Sequence, residues 1–221
     1  AVASLPMAPA DLTADHFRAH PDGDLYWFIA RGFASAKGKT EMPGFAGVIS
    51  SDAIWQVIDY LRALNAGETL RRTGVWPAPL PMPQFDAQCA DGRIVDLDDL
   101  RGHALRIVAV PDDEAPVPPL PADLGAMTIL VARHAGVRPV GDACVADERQ
   151  LWVALAILLG VSPNELAGAQ VLVDREARLR EAWRPGAPGD WGNPGVVAAR
   201  LRDLSAHPLA MSGPGEHAHQ H

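Results

Sequence analysis

The chain has 221 residues, with 19 lysines and arginines against 27 aspartates and glutamates and a formal net charge of −8. Its basic residues are scattered and form no stripe that would neutralise phosphates, so nucleic acid is excluded as an expected partner. The longest apolar run, Leu151 to Val161, is about half of the ~20 residues needed to cross a bilayer. We therefore expect no transmembrane segment in this chain.

Two helices are predicted in the first part of the chain, because apolar residues there repeat at helical spacing. The first begins at Asp22 and ends at Gly32. The second begins at Ser51, whose neighbour Asp52 strengthens the start signal, and ends at Asn65 to Gly67.

A proline at every second position marks residues 77–83 as an extended, semi-rigid spacer. We place a linker at 69–83, a helical module at 1–68, a second domain at 84–208 and a histidine-rich tail at 209–221. Beyond the linker the pattern changes to short β-rich runs alternating with helical ones, which predicts a mixed α/β sheet with flanking helices. The predicted strands are 85–89, 93–96, 104–110, 127–132, 170–174 and 179–183, and the predicted helices are 151–159 and 194–204.

Cys89 and Cys144 are the only cysteines, and they lack the Cys-x-x-Cys spacing of redox or zinc motifs. Two small buried apolar side chains are one interpretation, and a single disulfide between them is the other. The spacing alone leaves both open.

Residues 8–67 resemble the second half of a c-type cytochrome domain of the kind associated with copper-resistance protein D. The segments that carry the resemblance are Pro9-Ala10-Asp11-Leu12-Thr13, Gly23-Asp24-Leu25-Tyr26-Trp27-Phe28, Met42-Pro43-Gly44-Phe45 and Trp55-Gln56-Val57-Ile58-Asp59-Tyr60-Leu61-Arg62. The resemblance implies that Met42 is the thioether ligand of haem iron. The Cys-x-x-Cys-His motif for covalent attachment is missing from these residues, so we expect haem c only in a more complete protein and none in this chain.

Residues 79–208 resemble the thioredoxin and peroxiredoxin superfamily. The segments that carry the resemblance are Pro83-Gln84-Phe85, Asp91-Gly92-Arg93, Leu97-Asp98-Asp99-Leu100-Arg101-Gly102, Val171-Leu172-Val173-Asp174-Arg175 and Leu179-Arg180-Glu181-Ala182-Trp183-Arg184-Pro185-Gly186. Thiol chemistry in this fold needs a cysteine after the first core strand, but Val110 is followed by Pro111-Asp112-Asp113-Glu114. We therefore expect a redox-inactive domain without catalytic residues, and no enzyme.

The tail carries His217, His219 and His221 at alternate positions, and imidazoles so spaced are candidate ligands for copper. A weakly chelating tail without a defined site is the alternative. Together these features predict a periplasmic electron-transfer accessory linked to copper resistance, with a redox protein or a membrane copper-resistance domain as partner. The alternative function is a metal-handling or protein-interaction module without a redox centre.

Overall fold

The computed structural model describes residues 10–34, 38, 40–111 and 117–209. Contacts divide the chain into two compact units: residues 1–78 with 152–166, and residues 79–151 with 167–221. The described part contains four α-helices and ten strands. The helices are α1 (Asp22–Arg31), α2 (Ser51–Thr73), α3 (Arg149–Leu159) and α4 (Pro194–Ala206).

The first unit is mainly helical. A 3-10 helix (Asp15–Ala19) precedes α1, and a two-stranded antiparallel hairpin of β1 (Gly32–Ala34) and β2 (Thr40–Pro43) connects α1 to α2. Its core is a cluster of Phe17, Leu25, Ala30, Ile54 and Ile58. The sequence pattern indicated α1 and the start of α2, and it missed the hairpin.

Helix α2 does not end at Asn65 to Gly67 as predicted but continues to Thr73, where Gly74 in a left-handed conformation closes it. Asn65 is buried, and its side-chain amide donates to the carbonyls of Leu12 and Ala14 at 3.0 and 3.1 Å. Because its amide is engaged with the preceding segment, it does not act as a helix terminator. Helix α2 therefore runs into the segment that the sequence pattern assigned to the linker.

An eight-stranded sheet forms the framework of the second unit, with the order β3-β10-β9-β6-β7-β8-β4-β5. Its strands are β3 (Leu80–Pro81), β4 (Asp86–Cys89), β5 (Ile94–Asp96), β6 (Ala104–Val110), β7 (Ala126–Ala132), β8 (Cys144–Ala146), β9 (Gln170–Val173) and β10 (Arg178–Trp183). Strands β6, β7 and β8 are parallel, while β9 is antiparallel to β6 and β10 to β9. The mixed sheet confirms the predicted thioredoxin-like fold class.

One face of the sheet is covered by α4. Leu172 of β9 and Ala104 of β6 form a buried cluster with Val197, Leu201 and Leu204 of that helix. Asn193 caps α4 by accepting from the backbone N–H of Gly195 at 2.9 Å, and Pro194 follows at a position where its missing N–H costs nothing.

Strands β3 and β8 were missed by the sequence pattern. Strand β3 lies in the proline-rich segment and pairs with β10 at the edge of the sheet, where a proline is tolerated because its missing N–H leaves no ladder bond unmade. Strand β8 has only three residues, too few to show a period, and it pairs with β7 and β4. This short strand places one of the two cysteines inside the sheet.

Candidate functional site: a cross-strand disulfide

Cys89 and Cys144 lie directly opposite each other in the antiparallel pair of β4 and β8, and their sulfurs form a disulfide. Burial alternates along β4, with Ala87 and Cys89 buried and Asp86 and Gln88 exposed. This alternation points both apolar positions of β4 to the interior face, where Cys144 meets Cys89. The cysteine spacing left open whether the two residues are separate buried side chains or form a disulfide. The structure has the disulfide.

The two ends of the disulfide have different surroundings. Cys89 is 7 % exposed and is followed by the exposed turn of residues 90–93, whereas Cys144 is 0 % exposed. In the turn, the N–H of Gly92 donates to the carbonyl of Cys89 at 3.0 Å. The turn thus begins at Cys89, so this cysteine marks the boundary between the buried sheet and solvent.

An ion pair occupies the turn beside Cys89. The Arg93 guanidinium donates to the Asp91 carboxylate at 2.6 Å, and the Arg93 backbone N–H donates to the same carboxylate at 3.0 Å. The hydrogen bond from the Arg93 side chain, followed by that from its backbone, lowers the pKa of Asp91 below its ordinary value. Asp91 is therefore ionised at neutral pH, and it partly offsets the positive charge of Arg93.

A cavity of about 830 Å³ lies in the same unit and is bordered by both cysteines. Most of its wall is apolar and comes from Val110, Leu120, Met127, Leu130 and Val137, among others. Alternation along β8 turns Cys144 to the opposite face from Val145, which packs in one cluster with Leu130. The cavity therefore lies mainly over one face of the sheet, while the cysteine side chains belong to the other.

Arg106 is a buried cation on β6, 1 % exposed. Its guanidinium donates to Gln170 Oε1 at 2.9 Å, to the carbonyl of Pro118 at 2.9 Å and to the carbonyl of Trp191 at 3.4 Å. Burial lowers the pKa of Arg106, which nevertheless stays charged at neutral pH. The network links β6 and β9 to the β6–β7 connection and to the segment before α4.

The position that carries the reactive cysteine in thioredoxin-like proteins holds no thiol here. Val110 ends β6 and is followed by Pro111, while Asp112, Asp113 and Glu114 lie outside the described residues. In the described part of the β6–β7 connection the regular structure is one 3-10 helix, Ala122–Leu124. The two cysteines of this sheet lie at β4 and β8 instead.

The predicted metal and haem residues have different outcomes. Met42 lies in β2, partly buried, opposite Phe33 of β1. His217, His219 and His221 lie outside the described residues. Within the described ranges, no group of three or more His, Cys, Asp or Glu side chains is arranged to hold a metal ion.

None of the helices in those ranges combines the length and hydropathy required to cross a membrane.

Comparison with known proteins gave matches among solved structures. No protein-family model and no curated protein matches the chain. A peroxiredoxin-like protein from Aquifex aeolicus shares 14% identity, with 57% of this chain and 86% of that chain covered and a TM-score of 0.42. BsSco, a member of the Sco family of cytochrome c oxidase assembly proteins, shares 13% identity over 60% of this chain and 97% of that chain, with a TM-score of 0.41.

A SCO1/SenC family lipoprotein from Bacillus anthracis shares 8% identity, with 58% of this chain and 98% of that chain covered and a TM-score of 0.39. At these identities the likeness concerns the fold alone. All three cover less than two thirds of this chain.

The expectation of a redox-inactive domain was wrong. It rested on the missing thiol after β6 and on the absence of Cys-x-x-Cys spacing. The structure instead places Cys144 in β8, bonded to Cys89, and a disulfide is a two-electron redox group. The short β8 carried too weak a pattern for the sequence to reveal this pairing.

Proposed function

We propose that this chain is a redox accessory protein of the periplasm, in which the Cys89–Cys144 disulfide accepts two electrons from a dithiol partner. The observation that carries the proposal is the cross-strand disulfide between β4 and β8. In the reaction, two partner thiols are oxidised to a disulfide, and Cys89 and Cys144 take up the two electrons and two protons. Disulfides persist in oxidising compartments such as the periplasm, which supports the proposed location.

The cysteine content supports a simple two-state couple. Cys89 and Cys144 are the only two cysteines of this chain, so the chain has no third thiol with which the disulfide could rearrange. Exchange therefore needs a thiol from outside the chain. Cys89 lies at the rim of the sheet beside an exposed turn, which gives such a thiol a place to approach.

A dithiol-exchange assay tests the proposal. The oxidised wild-type protein should oxidise a reduced dithiol protein such as thioredoxin in stoichiometric amount, and a variant carrying Cys89→Ser and Cys144→Ser should not. Ala90→Ser is the matched control, because it adds a hydroxyl next to Cys89 and leaves the couple intact. Equal dithiol oxidation by wild type and the double variant would contradict the proposal.

A haem-binding role for the first unit is a second candidate, and the placement of Met42 favours it. Met42 stands opposite Phe33 in a short hairpin between α1 and α2, and the residue is half-buried. Among the described residues, most of the exposed large apolar side chains belong to this unit; they include Trp27, Phe28, Phe33, Phe45, Val48, Trp55 and Tyr60.

The residues present do not fit covalently attached haem by themselves. Met42 offers one soft axial ligand, but residues 1–78 contain no cysteine to form the thioether bonds. Haem binding thus requires a partner segment that supplies the Cys-x-x-Cys-His motif, and we retain the cytochrome interpretation only in that form. The chain alone, produced with a cytochrome maturation system, should carry no haem that survives acid-acetone extraction; a surviving Soret band would contradict this.

Copper handling by His217, His219 and His221 belongs to the same proposal, as a link to a copper-resistance partner. Calorimetry of Cu(II) binding should show weak association for the full chain and none for a chain that ends at Pro208. Equal heats for the two chains would remove the copper role from the tail.

A further inference from the structure

We infer that the Cys89–Cys144 disulfide is opened from one side only, with Cys89 as the sulfur that an incoming thiolate attacks and Cys144 as the sulfur that leaves. This inference rests on the proposed redox function. It concerns the direction of exchange, which the presence of a disulfide does not determine by itself.

The order of the strands sets the two possible approaches. A thiolate attacks a disulfide sulfur from the side opposite the sulfur that leaves, along the S–S axis. The disulfide joins β8 to β4, so β7 flanks Cys144 and β5 flanks Cys89 on the sides away from the bond. Strand β7 lies inside the sheet, and β5 is the edge strand.

The approach to Cys144 is blocked. Ile129 of β7 is its partner in the parallel register and is 0 % exposed, and Ala146, two residues along β8 on the same face, is also 0 % exposed. The Cys144 side chain is therefore enclosed by buried neighbours on the β7 side. The two strands pair over three residues and belong to the centre of the sheet.

The approach to Cys89 leads to solvent. On the β5 side, Cys89 faces Arg93, whose carbonyl accepts from the Cys89 backbone N–H at 2.8 Å. The side chain of Arg93 is 67 % exposed and its partner Asp91 is 53 % exposed. A flexible, exposed side chain can move aside at small cost, and the guanidinium favours the approach of an anionic thiolate.

The disulfide is reduced in two exchange steps. The thiolate of a monothiol forms a new S–S bond with Cys89, the Cys89–Cys144 bond breaks, and its electron pair leaves on Cys144. The Cys144 thiolate then takes up a proton from water. A second partner thiolate then attacks the partner sulfur of the mixed disulfide and releases Cys89, which completes the two-electron reduction.

Glutathione is the probe for the direction of exchange. Oxidised wild-type protein is incubated with excess glutathione under native conditions, quenched with acid and digested, and the glutathionylated cysteine is identified by mass spectrometry. We expect the mixed disulfide on Cys89. Glutathione on Cys144 would overturn the direction while leaving the redox function intact, and the absence of any mixed disulfide would overturn both.

Single-cysteine variants provide an independent measurement. Cys144→Ser leaves Cys89 as a lone thiol, and Cys89→Ser leaves Cys144. With a chromogenic disulfide reagent in native buffer, the lone Cys89 should react at least about tenfold faster than the lone Cys144, because thiol reactivity follows exposure. In denaturant the two rates should converge. Equal or reversed rates in native buffer would overturn the inference.

Discussion

Gly67 in α2 and Gly160, which follows α3, meet backbone to backbone within the first compact unit. A Cβ atom on Gly67 would lie 2.9 Å from the Gly160 nitrogen, and one on Gly160 would lie 2.8 Å from the Gly67 carbonyl carbon. Gly160 also has a φ of +64°, which other residues adopt at a cost. The contact is reinforced by Trp76, whose Nε1 donates to the carbonyl of Leu158 at 2.8 Å.

Gly67→Ala should destabilise the protein although alanine is the better helix former. The added methyl group meets backbone atoms that cannot move independently. Overpacking of this kind costs roughly 1–3 kcal/mol, and we expect this cost to outweigh the ~1 kcal/mol gained in helix propensity. Urea unfolding followed by tryptophan fluorescence measures the change. Gly23→Ala in α1 is the control, because a Cβ there meets nothing within 4 Å. An equal or higher stability for Gly67→Ala would contradict the close contact.

The same glycine shows why the end of α2 was misjudged from the sequence. Asn65 and Gly67 together are a common signal for the end of a helix, and nothing local distinguishes this pair from a true end. Tertiary contacts determine that the helix continues. The Asn65 amide donates to the carbonyls of Leu12 and Ala14, and Gly67 allows the close approach of Gly160. These partners are distant in sequence, so the pattern could not show them.

The predicted elements that were confirmed have strong local signals. The Asp91-Gly92 turn sets the β4–β5 hairpin, and apolar runs mark β6 and β7. The disulfide was left open, because its formation depends on the position of β8 in the sheet. A three-residue strand between irregular segments has no measurable period, and its pairing with β4 joins residues 55 positions apart. The sequence therefore predicted the sheet better than the site.

Removal of the disulfide should lower the free energy of unfolding by up to about 4 kcal/mol, because the bridge closes a loop of 55 residues and restricts the unfolded chain. The variant carrying Cys89→Ala and Cys144→Ala tests this in a urea titration. Wild type kept reduced by excess dithiothreitol throughout the titration should approach the stability of the variant. A variant as stable as oxidised wild type would show that the bridge adds nothing to stability.

Arg106→Lys should destabilise the protein by about 1–3 kcal/mol, since one ammonium cannot serve the acceptors of Gln170, Pro118 and Trp191 and leaves buried carbonyls unpaired. The charge is conserved in this variant, so the change measures hydrogen bonding. Arg202→Lys on the exposed face of α4 is the matched control, with an expected change within about 0.5 kcal/mol. Equal effects of the two substitutions would contradict the role of the buried network.

The domain boundary at 69–83 remains a proposal, and a chain that begins at Pro79 tests it. Such a chain retains residues 152–166 but lacks α2 and Trp76, with which that segment forms one compact unit. We expect it to unfold at a lower urea concentration than the full chain, because apolar surface of α3 loses its cover. Circular dichroism across a urea titration measures this, and an unchanged midpoint would show that the second domain needs nothing before Pro79.

A redox titration of the native protein tests the central proposal most directly. The protein is equilibrated in buffers of defined dithiothreitol ratio and quenched with acid. Its free thiols are then alkylated in denaturant and counted by mass spectrometry, while circular dichroism of the unquenched sample follows the fold. The redox proposal predicts that both thiols of the Cys89–Cys144 couple appear together in one two-electron transition while the circular dichroism of the sheet persists. Thiols that appear only when the protein unfolds would contradict it.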